Sequence, residues 1–125
     1  MWEVVLVAAG GFLGANARFI CSNWFARRFG TAFPYGTFFI NLSGSFLLGL
    51  FLTLATRSIL PDPAYRALIA VGFCGGYTTF STYTYETLTL LREGRIARAW
   101  MSNLLGSYLV GVIAALAGVA LGNLV

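Results

Sequence analysis

The sequence predicts an all-α membrane protein with four transmembrane helices in each protomer. Of its 125 residues, 58% are hydrophobic and only 10% are charged, and the mean hydropathy is +0.80. Soluble domains of ordinary composition carry about 25% charged residues. Because each crossing needs about 20 apolar residues, the chain has room for four spans and short connections. We therefore expect a single transmembrane domain over residues 1–125 and no separate soluble catalytic domain.

Long stretches without Asp, Glu, Lys or Arg mark the spans. Such stretches cover residues 29–56, 67–85 and 99–125, and Arg18 alone interrupts the first apolar run. The four spans are expected near residues 4–26, 34–56, 67–91 and 99–124. We interpret the first as a permanent span, because the N-terminus lacks the basic region of a cleavable signal.

Short connections join the predicted spans. Pro34 suits the first turn of the second helix. Pro61-Asp62-Pro63 is a turn signal before the third helix, and Gly94 is a plausible stop before the fourth. An even number of spans places both termini on one side of the membrane.

All eight basic residues are Arg, and they lie mostly between the apolar runs. In those places Arg side chains meet lipid headgroups and anchor helix ends, so the net charge of +4 indicates membrane topology and not a nucleic-acid partner. One side of the membrane would carry Arg27, Arg28, Arg92, Arg95 and Arg98, and the other Arg57 and Arg66. A bias this small permits insertion in both orientations.

The sequence offers no conventional catalytic set. It contains no His and only four acidic residues, so His-based triads and most metal-ligand sets cannot be assembled. Cys21 and Cys74 lie inside apolar segments without metal-ligand spacing and are interpreted as packing residues. The chain is therefore not expected to be an enzyme.

Arg18 is the first polar group that hydrocarbon should exclude. It lies in the second half of the predicted first span, and an Arg at mid-membrane costs at least about 2.5 kcal/mol on insertion scales. The side chain must be paired, extended toward the interface, or line a wet vestibule. Glu86 is the candidate partner by charge, although it can equally occupy a vestibule of its own.

Asn41 lies centrally in the uncharged second span. An unsatisfied amide in an apolar medium is costly, so Asn41 needs a partner on another helix or a permeating solute. Its two N–H donors suit an anion. A hydrogen bond between helices without a transport role is the alternative.

The third span contains paired glycines, Gly75 and Gly76, followed by five Ser or Thr residues within residues 78–84. This composition makes poor continuous helix and predicts a break near Gly75–Thr79. Broken backbone at membrane depth lines a cavity or is buried in protein, and its free carbonyl and N–H groups bind ions. The alternative is a continuous helix with glycines at close contacts, as expected for the Gly10/Gly14 and Gly118/Gly122 pairs.

Phe80 and Tyr83 are three residues apart, so their rings project from one helical face. The positive edge of an aromatic ring attracts an anion without a fixed charge, although ordinary ring packing is the alternative. Thr79 and Thr82 can add hydroxyl donors along the same path, and Glu86 continues the row of Tyr83.

Three motifs, in this order and over nearly the whole chain, resemble the Fluc (CrcB) fluoride channel family. They are Gly10-Gly11-Phe12-Leu13-Gly14-Ala15-Asn16-Ala17-Arg18, then Pro34-Tyr35-Gly36-Thr37 through Asn41-Leu42-Ser43-Gly44, and Gly72-Phe73-Cys74-Gly75-Gly76-Tyr77-Thr78-Thr79-Phe80-Ser81-Thr82. The resemblance implies a passive channel that lets cells expel fluoride. It also implies an antiparallel, dual-topology homodimer with two pores in the bacterial inner membrane.

The resemblance assigns roles to individual residues. Asn41 would be a pore donor, and Phe80 and Tyr83 would present ring edges to fluoride, although the family usually has Phe at the second place. Ser81, Thr82 and Glu86 would belong to polar tracks leading from the pore. The fourth span would contribute hydroxyl groups, and the candidates are Ser102, Ser107 and Tyr108. Of these three we include Ser102 in the site.

The resemblance further implies one cofactor. Backbone carbonyls of Gly75 and Thr78 from both subunits would surround a central sodium ion that is structural and not transported. Arg18 would belong to the vestibule.

Two other classes of membrane protein compete with this interpretation. A small multidrug exporter has a similar length and dual topology, but it needs a central carboxylate in the first span, where this chain has Arg18. A scaffold protein would explain small packing residues but not a polar, glycine-broken third span.

Overall fold

The computed structural model describes residues 1–57, 59 and 62–125, with residues 98–100 described by their backbone. Over these residues the chain is helical and has no strand, so the predicted all-α class is confirmed. The helical elements are α1 (Trp2–Phe29), α2 (Tyr35–Thr56), α3 (Pro63–Tyr65), a π-helical segment (Arg66–Phe73), α4 (Cys74–Tyr77), α5 (Ser81–Arg92), a second π-helical segment (Arg98–Gly106) and α6 (Ser107–Leu124).

Three helical stretches among the described residues are long and apolar enough to cross a membrane. They are Trp2–Phe29, Tyr35–Thr56 and Met101–Leu124, at the places predicted for the first, second and fourth spans. The first helix extends beyond the predicted range at both ends. Pro34 precedes α2 at its N-cap instead of lying in its first turn.

The helix α3, the first π-helical segment and α4 follow one another without a gap as a rod over residues 63–77. Asp62 caps its start, since the carboxylate Oδ1 accepts a hydrogen bond of 2.9 Å from the Ala64 amide. The Cys74 amide donates to the carbonyl of Ile69, five residues earlier, which is the wider π turn. Pro61, part of the predicted turn, lies outside the described residues.

Helix α1 packs along the 63–77 rod through glycines. A Cβ on Gly10 would overlap the carbonyl oxygen of Leu68, and a Cβ on Gly14 would overlap that of Phe73. Gly76, on the rod, meets the backbone of Gly11 in the same way. The prediction that Gly10 and Gly14 seat a neighbouring helix is confirmed, and this close contact brings the next turn of α1, with Arg18, to the end of the rod.

Helix α2 packs along α6, again at glycines. A Cβ on Gly49 would overlap the Ala115 carbonyl, and Gly122 lies against the side chain of Thr53. At the end of this contact Arg57 donates through Nη1 to the carbonyl oxygens of Gly122, at 3.1 Å, and Asn123. A cation at the end of a helix satisfies its last carbonyls and complements its dipole.

Gly118 should tolerate no side chain. A Cβ there would overlap the carbonyl of Phe46 and lie 2.9 Å from the Leu50 amide, so Gly118→Ala should cost about 1–3 kcal/mol of stability. Gly111→Ala, on the same helix, is the matched control, because the nearest atom to its Cβ is Ser45 Oγ at 3.8 Å. Thermal unfolding in detergent measures both, and a Gly118→Ala protein as stable as Gly111→Ala would contradict the contact.

Candidate functional site

The helical rod that ends at Tyr77 is separated from α5 by three residues, Thr78, Thr79 and Phe80. Thr78 is extended, with φ −75° and ψ 159°. The side chain of Asn41 bonds the backbone of this interval on both sides: Nδ2 donates to the Thr79 carbonyl at 3.0 Å, and the Thr79 amide donates to Oδ1 at 2.9 Å. One side-chain amide thus replaces the helical partners of a non-helical residue.

The bond from Thr79 to Asn41 leaves the carbonyl of Gly75 without a backbone donor among the described residues. In a continuous α-helix that carbonyl would accept from the amide of Thr79. Gly75 is exposed, and a Cβ built there meets no atom within 4 Å. The Thr78 carbonyl accepts from Arg18 Nη1 at 3.3 Å. At the end of the rod, the Gly75 carbonyl is therefore without a backbone donor, and the Thr78 carbonyl is bound to a guanidinium.

The hydroxyl of Thr79 bonds to the first turn of α5. Its Oγ1 accepts from the Thr82 amide at 3.3 Å and donates to Thr82 Oγ1 at 3.1 Å. Ser81 Oγ lies 3.4 Å from the same oxygen. A Thr hydroxyl in this position satisfies an otherwise unpaired amide at a helix N-terminus.

A cavity of about 470 Å³, here called the break cavity, opens at the interrupted backbone. It joins polar and aromatic residues of α2, α5 and α6 to the end of the rod. The residues predicted for the site that line it are Asn41, Gly75, Thr78, Thr79, Phe80, Tyr83, Ser107 and Tyr108. Within the described part of the chain, no charged side chain lines it. The Phe80 and Tyr83 ring centroids are 5.9 Å apart with planes tilted by 40°, and Phe80 is 79% exposed.

A second cavity of about 440 Å³, here called the α5 vestibule, lies between the end of α1, the start of α2 and α5. Thr37, Thr82 and Glu86 line it. Glu86 Oε1 accepts from the Thr37 hydroxyl at 2.9 Å, while Oε2 is buried and has no partner among the described residues. Arg18 and Glu86 bind different partners, so the pairing considered from charge alone is not found.

The two cavities meet at hydroxyl groups. Thr79 lines the break cavity and Thr82 lines the α5 vestibule. Their oxygens are 3.1 Å apart. A chain of side-chain oxygens thus connects one cavity to the other across the start of α5.

One predicted site residue lies apart from this arrangement. Ser102 is exposed and lines neither the break cavity nor the α5 vestibule. Of the three candidates in the fourth span, Ser107 and Tyr108 line the break cavity. Ser81 is exposed and reaches the site through Thr79.

Sequence reasoning missed two buried polar residues. Asn103 is fully buried, and its Nδ2 donates to Thr87 Oγ1 at 2.7 Å, which in turn donates to the Tyr83 carbonyl at 2.8 Å. Tyr77 is buried beside the interrupted backbone, with its hydroxyl 3.0 Å from Ser43 Oγ. Asn103 could have been found as Asn41 was, as an amide in an uncharged span.

Comparison with known proteins identifies the family. A family model described as CrcB-like protein, Camphor Resistance (CrcB), matches residues 5–119. A protein of Koribacter versatilis named fluoride-specific ion channel FluC is 50% identical over 92 residues, which cover 74% of this chain and 73% of the relative. Proteins of the same name from Trichormus variabilis and Chlorobium phaeobacteroides are each 46% identical, over 96% and 97% of this chain and 88% and 93% of the relatives. The chain therefore belongs to the CrcB family.

Proposed function

We propose that this multi-pass membrane protein forms a fluoride-selective channel. The channel passively exports fluoride and so limits its toxicity in the cytoplasm. Relatives up to 50% identical carry the name fluoride-specific ion channel. The single observation that carries the proposal is the break cavity. The Asn41 amide, Thr79 and three aromatic rings meet there, and no charged side chain of the described residues lines it. The proposed role is transport, not catalysis.

The lining suits a small, strongly hydrated anion. A selective path must replace the water shell of the ion with closely spaced donors along a narrow route. Hydroxyl and amide groups supply N–H and O–H donors, and ring edges supply positive potential. The absence of a fixed positive charge from this lining favours conduction, because such a charge would hold the ion too tightly to release it.

The hydroxyl chain from Thr79 to Thr82 supports a route between the two cavities. The proposed path runs from the break cavity, past Asn41, Phe80 and Tyr83, to Thr82 and the α5 vestibule. Glu86 would lie at the far side of this route, with Ser81 beside it. The charged residues that line the vestibule in the described part of the chain are Glu86 and Glu93. Carboxylates repel an anion, so fluoride would pass them at a distance and with its water shell.

The proposed membrane arrangement has four spans in each protomer. The third would be the 63–77 rod together with α5, interrupted at Thr78–Phe80. Non-helical backbone at membrane depth requires protein or water around it, which the break cavity and the Asn41 bonds would provide. The single domain of residues 1–125 would then lie in the bacterial inner membrane.

A second copy of the chain would complete the site. Gly75 is exposed, and Phe80 and Tyr108 are 79% and 69% exposed, although all three line the break cavity. Ser81 and Thr82 are also exposed, and their hydroxyl groups contact Thr79 Oγ1. In hydrocarbon the rest of their hydrogen-bonding capacity would stay unfilled. We propose an antiparallel homodimer with two pores, since the small difference in loop Arg between the two sides permits both orientations.

The residues at the end of the 63–77 rod fit the structural sodium ion implied by the family. Gly75 is exposed, and its carbonyl has no donor among the described residues. The Thr78 carbonyl oxygen has two lone pairs, and the bond from Arg18 uses one of them. Carbonyl oxygens at a helix C-terminus are suitable ligands for a hard monovalent cation. When bound, the ion would neutralise the carbonyl dipoles at the end of the rod. Asn41 holds the backbone that presents these carbonyls.

The proposal is tested with purified protein in liposomes that are loaded with fluoride or chloride. We expect rapid fluoride release and no chloride release above that of empty liposomes. Equal release of the two anions, or of neither, would contradict the channel. Proton movement that depends on a cationic drug would instead support the exporter class.

A further inference from the structure

Arg18 reaches the end of the 63–77 rod and not an acidic partner. Its Nη1 lies 3.3 Å from the Thr78 carbonyl oxygen, and the side chain is half-buried. The one ion pair among the described residues joins Arg95 to Glu93, at the opposite end of α5. The position of Arg18 is fixed by packing, because Gly14, one turn earlier, meets the backbone of Phe73 and Tyr77.

The Thr78 carbonyl has no other hydrogen-bond donor among the described residues. The Thr82 amide, which would reach it in a continuous helix, donates to Thr79 Oγ1 instead. The Thr78 amide and hydroxyl both donate to Cys74, and the Asn41 amide is bound to Thr79. The guanidinium is therefore the group that satisfies this oxygen in the protomer.

The same oxygen belongs to the proposed sodium site. Two positive charges at one carbonyl attract the oxygen but repel each other. A cation also stabilises the negative end of a helix, and either Arg18 or a metal ion would do so here. The two cations therefore compete at this oxygen, and each weakens the binding of the other.

We propose that Arg18 competes with sodium for the Thr78 carbonyl and thereby sets how much sodium the interrupted backbone needs. This inference rests on the sodium site of the proposed function. With Arg18 in place, the backbone keeps a partner when sodium is scarce. Without it, the carbonyl depends on sodium alone, and the ion binds free of a neighbouring positive charge.

The test is the sodium dependence of thermal unfolding in detergent. Sodium chloride is exchanged for N-methyl-D-glucamine chloride at constant ionic strength, and the wild type is compared with Arg18→Gln. Arg27→Gln is the matched control, because Arg27 is exposed at the end of α1 and its loss changes the net charge equally. For Arg18→Gln we expect a larger sodium-dependent rise in Tm. We also expect a half-saturating sodium concentration at least about fivefold lower. This factor corresponds to the repulsion between two unit charges about 4 Å apart in water.

The possible outcomes separate the two proposals. If wild type and Arg18→Gln respond to sodium identically, the competition is wrong while the sodium site stands. If no variant responds to sodium, the sodium site itself is wrong and the competition with it. A change of the same size in Arg27→Gln would reduce the effect to net charge and also overturn the competition.

A second measurement keeps the inference testable if Arg18→Gln does not fold. In wild-type protein the guanidinium ¹⁵N resonance of Arg18, assigned with Arg18→Lys, should shift on sodium titration with the same midpoint as the thermal response. A resonance that stays unchanged at saturating sodium would contradict competition for the carbonyl.

Discussion

Asn41→Asp should lower fluoride flux by about a hundredfold, since leaving a buried polar group unpaired costs up to about 3 kcal/mol and more when a charge is involved. The substitution keeps the size of the side chain and the bond from the Thr79 amide. It removes the Nδ2 donor and places a carboxylate oxygen against the Thr79 carbonyl, which Nδ2 now approaches at 3.0 Å. It also adds a negative charge to a cavity that has none. Fluoride efflux from liposomes measures the effect.

The matched control for this substitution is Asn123→Asp. Asn123 is exposed at the end of α6 and lines neither cavity. It receives the same change of charge and should keep wild-type flux. If Asn41→Asp also keeps wild-type flux, Asn41 does not contribute to the pore. Size-exclusion chromatography in detergent shows whether either variant has lost its assembly.

Phe80→Ile should reduce fluoride flux by about two- to tenfold, because an aromatic edge interaction contributes roughly 0.5–1.5 kcal/mol that an aliphatic side chain cannot replace. Phe80 is 79% exposed in the protomer, so its loss should disturb the fold of one chain little. The expected result is therefore slower transport with a nearly unchanged Tm. Liposome efflux and thermal unfolding are measured on the same preparation.

Phe12→Ile is the matched control for Phe80→Ile. Phe12 is 69% exposed on α1 and lines neither cavity, so the same loss of an exposed ring should leave transport intact. Equal flux in the two variants would remove Phe80 from the site. A Phe80→Ile protein that is no longer dimeric would assign the ring to the interface instead.

The extent of the long apolar helices could be predicted from charge alone. Charged residues are costly in hydrocarbon, so the uncharged stretches marked the three helices that are long enough to cross a membrane to within a few residues. Pro34 and Gly94 marked two of the short connections in the same way. The paired glycines and the Ser and Thr residues after them directed attention to the backbone that the structure interrupts at Thr78–Phe80. The broken transmembrane span itself, like the dimer and the sodium site, stays a prediction.

The faces of the fourth helical segment could not be predicted. Residues Arg98–Gly106 form π-helical turns, which contain more residues than the 3.6 of an α-helix. A wider turn shifts the direction of every following side chain, so a 3.6-residue period assigns the wrong face. The register was too unclear to choose among Ser102, Ser107 and Tyr108; in the structure Ser107 and Tyr108 line the cavity, and Asn103 is fully buried.

Partners that are distant in sequence also escaped prediction. Arg18 and Glu86 have opposite charge, which suggested a pair, but α1 meets the rod at Gly10 and Gly14 and directs Arg18 to Thr78. Glu86 lies instead beside Thr37. Charge alone gives no information on which helices are neighbours, and the close glycine contacts decided it.

The two hydrogen bonds between the Asn41 side chain and the Thr79 backbone have a consequence for engineering and for evolution. In the proposed channel this carboxamide would serve both anion preference and architecture, so a change there would not retune one without damaging the other. A laboratory selection for passage of a larger halide should therefore leave Asn41 intact and accumulate substitutions elsewhere in the lining. Ser107 and Tyr108 line the cavity from α6 and carry no part of the interrupted chain, so they are the positions free to diverge.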